Sequence, residues 1–269
     1  MQKIILLTGA TDGIGLETAK ALVSQGHYVL LHGRNASKLQ DVENALSSLS
    51  ETGMVESYVA DLSRLADVKV LAQAVIAKHK KLDVVINNAG VYKTPSPVTQ
   101  DGLDVRFAVN TIAPYLLTQQ LLSILGITGR VVNISSAAQA PVNLNALVGK
   151  DLLSLSDSDA YAQSKLAITM WSRHMAQSLK DTGSLIVAIN PASFLGSKMV
   201  KDAYGMAGKD LSIGVDILCR AALSDEFSEA NGLYFDNDIG RFSDPHADAL
   251  SVEKCQKVVE RIEAVLARD

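Results

Sequence analysis

Cysteine is scarce in this sequence. Its 269 residues include two, Cys219 and Cys255, set far apart and with no CxxC pair. That rules against a disulfide framework or a zinc cluster, and both read as small hydrophobic residues. The five histidines show no metal-ligand spacing, so no metal is expected. Basic charge is not in excess: 25 Lys and Arg stand against 29 Asp and Glu, a net charge of −4. A nucleic-acid groove or affinity for an anionic membrane would need the opposite balance. Long hydrophobic runs are missing too. The start, MQKIILLTGA, has four strongly apolar residues before Thr8, too few for a secretory signal. No stretch approaches the roughly 18 consecutive apolar residues of a spanning helix. The expectation is a soluble cytoplasmic protein with neither nucleic acid nor membrane as partner.

What is present is an ordinary globular mix, 48% hydrophobic and 20% charged. Short apolar runs at 4–7, 28–31, 55–59, 84–86, 130–134, 185–189 and 233–235 predict buried strands. Between them, apolar residues recur at helical spacing over 14–25, 37–49, 65–78, 103–122, 160–179, 211–223 and 252–267, with an interruption expected near Pro114. Residues 93–100 and 137–158 read as long irregular stretches. Continuous apolar strands alternating with amphipathic helices imply α/β architecture: one Rossmann-type, doubly wound parallel sheet with helices on both faces. No repeat or linker divides the chain, so a single domain over 1–269 is expected.

The turn Thr8-Gly9-Ala10-Thr11-Asp12-Gly13-Ile14-Gly15 joins the first strand to the first helix. A nucleotide's phosphates need backbone N–H donors and close approach, and glycine permits both. A glycine turn alone also serves as a plain connection; its place in a βαβ unit makes it a candidate cradle. The second strand ends Leu31-His32-Gly33-Arg34-Asn35. An acid there would bind the ribose of NAD, and none is present. Arg34 offers a fork of donors to a 2′-phosphate, which favours NADP(H) over NAD(H). The competing role for Arg34 is capping a surface turn. Asp12, being negative, argues against a phosphate nearby, and Lys38 is either a helper or a solvated charge.

Further along stand Asp61-Leu62, Asn87-Asn88-Ala89-Gly90, Asn110, Ser135-Ser136 and Tyr161-Ala-Gln-Ser-Lys165. Tyr161 and Lys165 are one helical turn apart and share a face. A tyrosine's pKa near 10 is too high for a base at neutral pH, and a nearby ammonium lowers it. Neither serine lies in a GxSxG elbow, which excludes a serine hydrolase of that type.

The ordered set resembles the short-chain dehydrogenase/reductase superfamily over nearly the whole chain. The resemblance implies hydride transfer between NAD(P)(H) and a small carbonyl or alcohol substrate. It makes Tyr161 the acid/base, assisted by Lys165, by Ser136 in preference to Ser135, and by Asn110 through a bound water. It also implies cofactor contacts from Gly9, Thr11, Asp12, Gly13, Ile14, Gly15, Arg34, Asn35, Asp61, Leu62, Asn88, Ala89, Gly90, Tyr161, Lys165, Pro191 and Ser193. Asp61 has a competing reading as the N-cap of the next helix, and Asn110 as packing against Pro114.

The long gap between Ser136 and Tyr161 and the ending Asn231-Gly232-Leu233-Tyr234-Phe235 resemble the retinol-dehydrogenase-like, NADP(H)-dependent branch. Members of that branch often carry a membrane anchor before the first strand. This sequence opens almost at that strand, so retinoids are not the expected substrate. After the sixth strand the family pattern has Pro-Gly and then a threonine. Here Ala192 replaces the glycine and Gly196 stands near the threonine's place, with Ser197 as the available substitute. Residues 194–212 correspond to the family's substrate lid. These departures keep a second reading open: a non-catalytic NADP(H)-binding protein that senses redox state or scaffolds a partner. A nucleotide-sugar epimerase would need a larger substrate domain. By the same resemblance, pairing into a homodimer or homotetramer through long helices is expected.

Overall fold

The computed structural model describes residues 1–152, 154–180 and 183–268. The strands are β1 (Ile4–Leu7), β2 (Tyr28–Gly33), β3 (Met54–Val59), β4 (Val84–Asn87), β5 (Arg130–Ile134), β6 (Leu185–Asn190), β7 (Tyr234–Asp236) and β8 (Arg241–Ser243). They form one sheet in the order β3-β2-β1-β4-β5-β6-β7-β8. The first seven run parallel, and β8 returns antiparallel to β7 through a tight turn. The order reverses direction between β1 and β4, which opens a crevice at the carboxyl ends of the strands where open α/β sheets bind ligands.

The helices are α1 (Gly13–Ser24), α2 (Ala36–Ser47), α3 (Leu65–Lys78), α4 (Val105–Phe107), α5 (Ala113–Leu125), α6 (Leu144–Leu147), α7 (Asp157–Ser178), α8 (Lys198–Tyr204), α9 (Ser212–Leu223), α10 (Ala247–Leu250) and α11 (Val252–Leu266). Successive strand side chains point to opposite faces, so each strand feeds two cores. Leu6, Leu30, Val85, Val131 and Ile186 pack under α3, α5, α7 and α11. Ile5, Leu7, Val29, Leu31, Val84, Ile86, Val132 and Val187 pack under α1, α2 and α9. This is the two-faced α/β sheet that the alternating apolar pattern predicts.

Three differences from the periodicity reading have local causes. The expected break near Pro114 lies just before it, as a π-helical turn over Ala108–Ile112. Pro114 itself is the second residue of α5, directly behind the π-helical turn. α7 begins at Asp157 rather than at Ala160, because the Ser156 side chain accepts from Asp159 N–H and caps it. The antiparallel β8 was not foreseen; it is three residues long, too short to show a period.

Candidate active site and cofactor cradle

The glycine turn is built by close packing. A methyl on Gly15 would lie 2.1 Å from Gly9 O and 2.5 Å from Asn88 Nδ2, and one on Gly9 would lie 2.9 Å from Ala89 Cα. Gly9 and Gly13 have φ of +69° and +53°, which suits residues without a Cβ. Thr8 Oγ1 accepts from the N–H groups of Asn88 and Ala89, both at 3.0 Å. Asn88 Nδ2 donates to Thr8 O at 2.9 Å and Gly9 O at 3.2 Å. Asn88 and Ala89 therefore hold the turn in shape from the end of β4.

Sequence reasoning missed the support on the other side. His32 is buried at the end of β2; its Nδ1 accepts from Gly9 N–H at 3.2 Å, and its Nε2 lies 3.1 Å from Ala60 O. Burial pushes its pKa down to about 4, so it works here as a neutral acceptor–donor. The available signal was a histidine where the family pattern prompts a search for an acid.

Asp12 caps α1 by accepting from Gly13 N–H at 2.7 Å. The N–H groups of Ile14 and Gly15, in the first turn of α1, have no partner among the described residues. Such free donors at a helix start suit an anion. The Ile14 side chain faces α9 beside Gly214. Thr11 Cγ2 lies against Gly33. Arg34 is exposed at the end of β2, with no ion pair or hydrogen bond among the described residues, so it does not cap the turn. Asn35 does, accepting from Lys38 N–H at 2.9 Å to start α2. Asp61 does not cap α3 as its alternative reading required. Its Oδ1 accepts from Ser63 N–H and Ser63 Oγ, while Asp101 accepts from Leu65 N–H. Leu62 is buried beside it. A cradle with free N–H donors and no room for Cβ atoms fits the phosphates of a dinucleotide.

The candidate catalytic residues converge at the carboxyl ends of β4 and β5. The Ser136 side chain faces Tyr161, near enough to act on its phenol, while its hydroxyl accepts from Ala138 N–H at 3.1 Å. Ser135 points the other way, buried, donating to Lys165 O at 2.9 Å and paired with Thr169 Oγ1 at 2.7 Å. The Lys165 ammonium lies 5.6 Å from the Tyr161 ring centroid and donates to Ile134 O at 2.7 Å. Burial pushes Lys165 down to about 8. Burial also pushes Tyr161 up to about 12, with the neighbouring Ser136 side chain acting the other way. The lowering expected from the ammonium is not among the causes of this shift, and Tyr161 stands here protonated, as an acid.

Asn110 lies in the π-helical turn, and its side-chain amide is engaged by hydrogen bonds. Its Oδ1 accepts from Val91 N–H at 2.8 Å, and its Nδ2 donates to Val91 O at 3.0 Å and Ser164 Oγ at 3.0 Å. A methyl on Gly90 would lie 3.5 Å from Asn110 Oδ1, 3.7 Å from Lys165 Nζ and 3.8 Å from Met199 Cε. Gly90 is the point where these groups meet.

Residues 194–212 cross the crevice. Ser197 starts α8 by accepting from Val200 N–H and lies against Gly13. At the other end, Tyr204 packs its ring on Tyr92. The Tyr92 ring meets Tyr161 edge-on at 5.0 Å and Tyr204 at 5.9 Å, and Phe194 meets Tyr204 at 5.4 Å. Tyr204 falls in the expected lid; Tyr92 was not singled out in the sequence, since an isolated tyrosine in a loop carries no pattern. Pro191 follows β6, and both the N–H and the hydroxyl of Ser193 are bonded to Asp238.

Fold and site together define an NAD(P)-dependent oxidoreductase of Rossmann type. The family model described as short chain dehydrogenase matches residues 3–206, and the chain belongs to that family. It is 31% identical over 246 residues to retinol dehydrogenase 12 of Mus musculus, covering 87% of this chain and 77% of that one. It is 30% identical over 251 residues to the chloroplastic short-chain dehydrogenase TIC 32 A of Brassica napus, covering 86% and 78%. Among solved structures, an uncharacterized protein from Mycobacterium paratuberculosis superposes with a TM-score of 0.81 at 25% identity, covering 98% of this chain and 93% of that one. A metagenomic short-chain oxidoreductase in complex with NADP superposes with a TM-score of 0.62 at 27% identity, covering 82% and 90%. Among the described residues no helix is long and apolar enough to cross a membrane.

Proposed function

We propose that this protein transfers a hydride between NADP(H) and a small carbonyl or alcohol, with Tyr161 as the proton donor and acceptor. The observation that carries the reading is the buried Lys165 ammonium, anchored on Ile134 O and lying 5.6 Å from the Tyr161 ring, with Ser136 facing the same phenol. The nicotinamide supplies or accepts the hydride when bound. In reduction, protonated Tyr161 gives its proton to the substrate oxygen as negative charge develops there. Ser136 donates a hydrogen bond to the same oxygen. Lys165, anchored on Ile134 O, holds positive charge behind the phenol and eases its deprotonation. Asn110 clasps the Val91 backbone, fixing the wall of the pocket, and touches Ser164 next to Lys165. The free N–H groups of Ile14 and Gly15 and the first turn of α1 take the pyrophosphate. Arg34 takes the 2′-phosphate of NADP, a choice supported by its lack of any protein partner and by the NADP held in the metagenomic relative.

Two measurements test this. Tyr161→Phe should reduce NADPH oxidation across a panel of aldehydes, ketones and quinones by about 10³-fold or more while leaving NADPH binding intact; undiminished turnover would overturn the mechanism. NADPH should bind more tightly than NADH, and Arg34→Ala should erase the difference. Equal affinities in the parent protein would remove the role given to Arg34.

A further inference from the structure

Two departures from the family pattern, Ala192 and Gly196, sit in one piece of structure. Ala192 follows β6 with φ +121° and Phe194 with φ +58°. L side chains rarely adopt such angles, and they persist only where surroundings enforce them. Gly196 is crowded by the chain's return: a methyl on it would lie 2.8 Å from Ala207 O, and one on Gly208 would lie 2.6 Å from Gly196 Cα. Residues 194–196 and 207–209 thus run backbone to backbone. Lys209 N–H donates to Phe194 O and Gly196 N–H to Lys209 O, both at 2.7 Å. These are the two feet of the segment that carries α8 across the crevice.

Both feet meet one carboxylate. Asp238, in the turn between β7 and β8, accepts from Ser193 N–H at 2.9 Å, Ser193 Oγ, and Asn190 Nδ2 at 2.9 Å. Its Oδ1 also lies 3.4 Å from Lys209 Nζ. The preceding residue, Asn237, reinforces the grip by donating through Nδ2 to Pro191 O at 3.0 Å and Ile213 O at 3.2 Å. Asp238 is the side chain here that carries charge: its carboxylate joins Ser193, before the lid, to the Lys209 ammonium at the lid's end.

We propose that Asp238 is a positioning residue that pins both feet of the 194–209 lid and holds Ala192 in its strained conformation. In this way a chain with alanine in place of the family's glycine still lays Ser197 against Gly13 and Tyr204 against Tyr92. The lid spans from the phosphate turn to the candidate catalytic tyrosine, so its feet set the height of the roof over the nicotinamide end of the crevice. Burial acts to raise the Asp238 carboxyl, but the bonds from Ser193, Asn190 and Lys209 hold it below its ordinary range, in keeping with a carboxylate used as an anchor. The kinetic consequence rests on the oxidoreductase reading; the structural one does not.

The test compares Asp238→Ala, Asp238→Asn and the double variant Asp238→Ala with Ala192→Gly. Trypsin cleavage after the exposed Lys201, in α8, reports lid opening without any activity. Asp238→Ala should be cut there about tenfold faster than the parent, with the midpoint of global unfolding nearly unchanged. Adding Ala192→Gly should bring the rate back towards the parent, because the strain that drives the segment out of place is removed. Asp238→Asn should fall between. In turnover, Asp238→Ala should raise KM and weaken NADPH binding more than it lowers unfolding stability, with the same rescue. Unchanged cleavage after Lys201 would overturn the proposal. So would faster cleavage at every site in step with a lowered unfolding midpoint and no rescue by glycine. If the parent protein neither binds NADPH nor reduces any carbonyl, the reading of the site fails, while the proteolysis still decides the role of Asp238.

Discussion

Serines 135 and 136 differ by one position and by everything around them. A strand alternates its side chains between faces, so one hydroxyl is sent inward to α7 and the next outward to Tyr161. Ser136→Ala should cut kcat/KM by about 10²–10³ with stability nearly unchanged, as loss of one oxyanion donor does. Ser135→Ala should instead lower unfolding stability by about 1 kcal/mol through lost buried hydrogen bonds. Parallel kinetics and urea titrations separate the two, and matching effects would contradict the assigned orientations. His32 makes a pH prediction. Its folded-state pKa is about 4 against 6.5 for the free side chain, so the unfolded chain binds its proton first. Stability is full above pH 6.5 and falls as the pH drops towards 4, by about 3 kcal/mol from this one group. Denaturant unfolding at pH 7.5 and pH 4.5 should show a smaller acid loss in His32→Gln than in the parent. Tyr161, Lys165 and Ser136 were legible in the sequence because they sit at fixed spacing or beside a strand end. His32, Tyr92 and Asp238 were not, because each earns its role from a partner that no local pattern reveals.

At the scale of elements, the turn between β1 and α1 depends on how closely the helix approaches it. Gly15→Ala places a methyl on Gly9 O and Asn88 Nδ2. Overpacking of this kind costs about 1–3 kcal/mol, so the midpoint of thermal unfolding should drop and NADPH should bind more weakly. An alanine variant with the parent's melting curve and affinity would show that the turn has room to move. The same reasoning explains the π-helical turn at 108–112. It inserts an extra residue into the α4–α5 run and aims Asn110 at the Val91 backbone, a contact between residues 19 apart. Apolar periodicity located the helix there but could not show the extra residue, since every member of the turn is buried. The strands were read nearly to the residue, because their side chains are apolar on both faces and their ends carry glycine or polar residues. The short helices α6 and α8 escaped because fewer than two turns define no face.

At the scale of the molecule, α11 occupies ground that bears on assembly. Its apolar stripe, Cys255, Val258, Val259, Ile262 and Val265, is buried with α7 and α5 in one core, and Tyr115 of α5 donates to Glu263 at 2.8 Å. The pairing through long helices implied by resemblance would have to use a face that this chain already covers with its own last helix. Sedimentation at micromolar concentration should therefore give a single-chain mass near 28.7 kDa. A stable dimer would point to another face.

The sequence by itself determined the class of fold, the family, the glycine turn and the Tyr161–Lys165 pair. All of these rest on residues close together in the chain, where periodicity and helix geometry act directly. Tertiary structure alone decided that Ser135 turns inward to Lys165 O and Thr169, and that burial holds the phenol near 12. It alone brought Asp238 to Ser193, 45 residues away, and to both ends of the lid. Those outcomes depend on desolvation and on side chains meeting across strands, and neither is written into any local stretch of sequence.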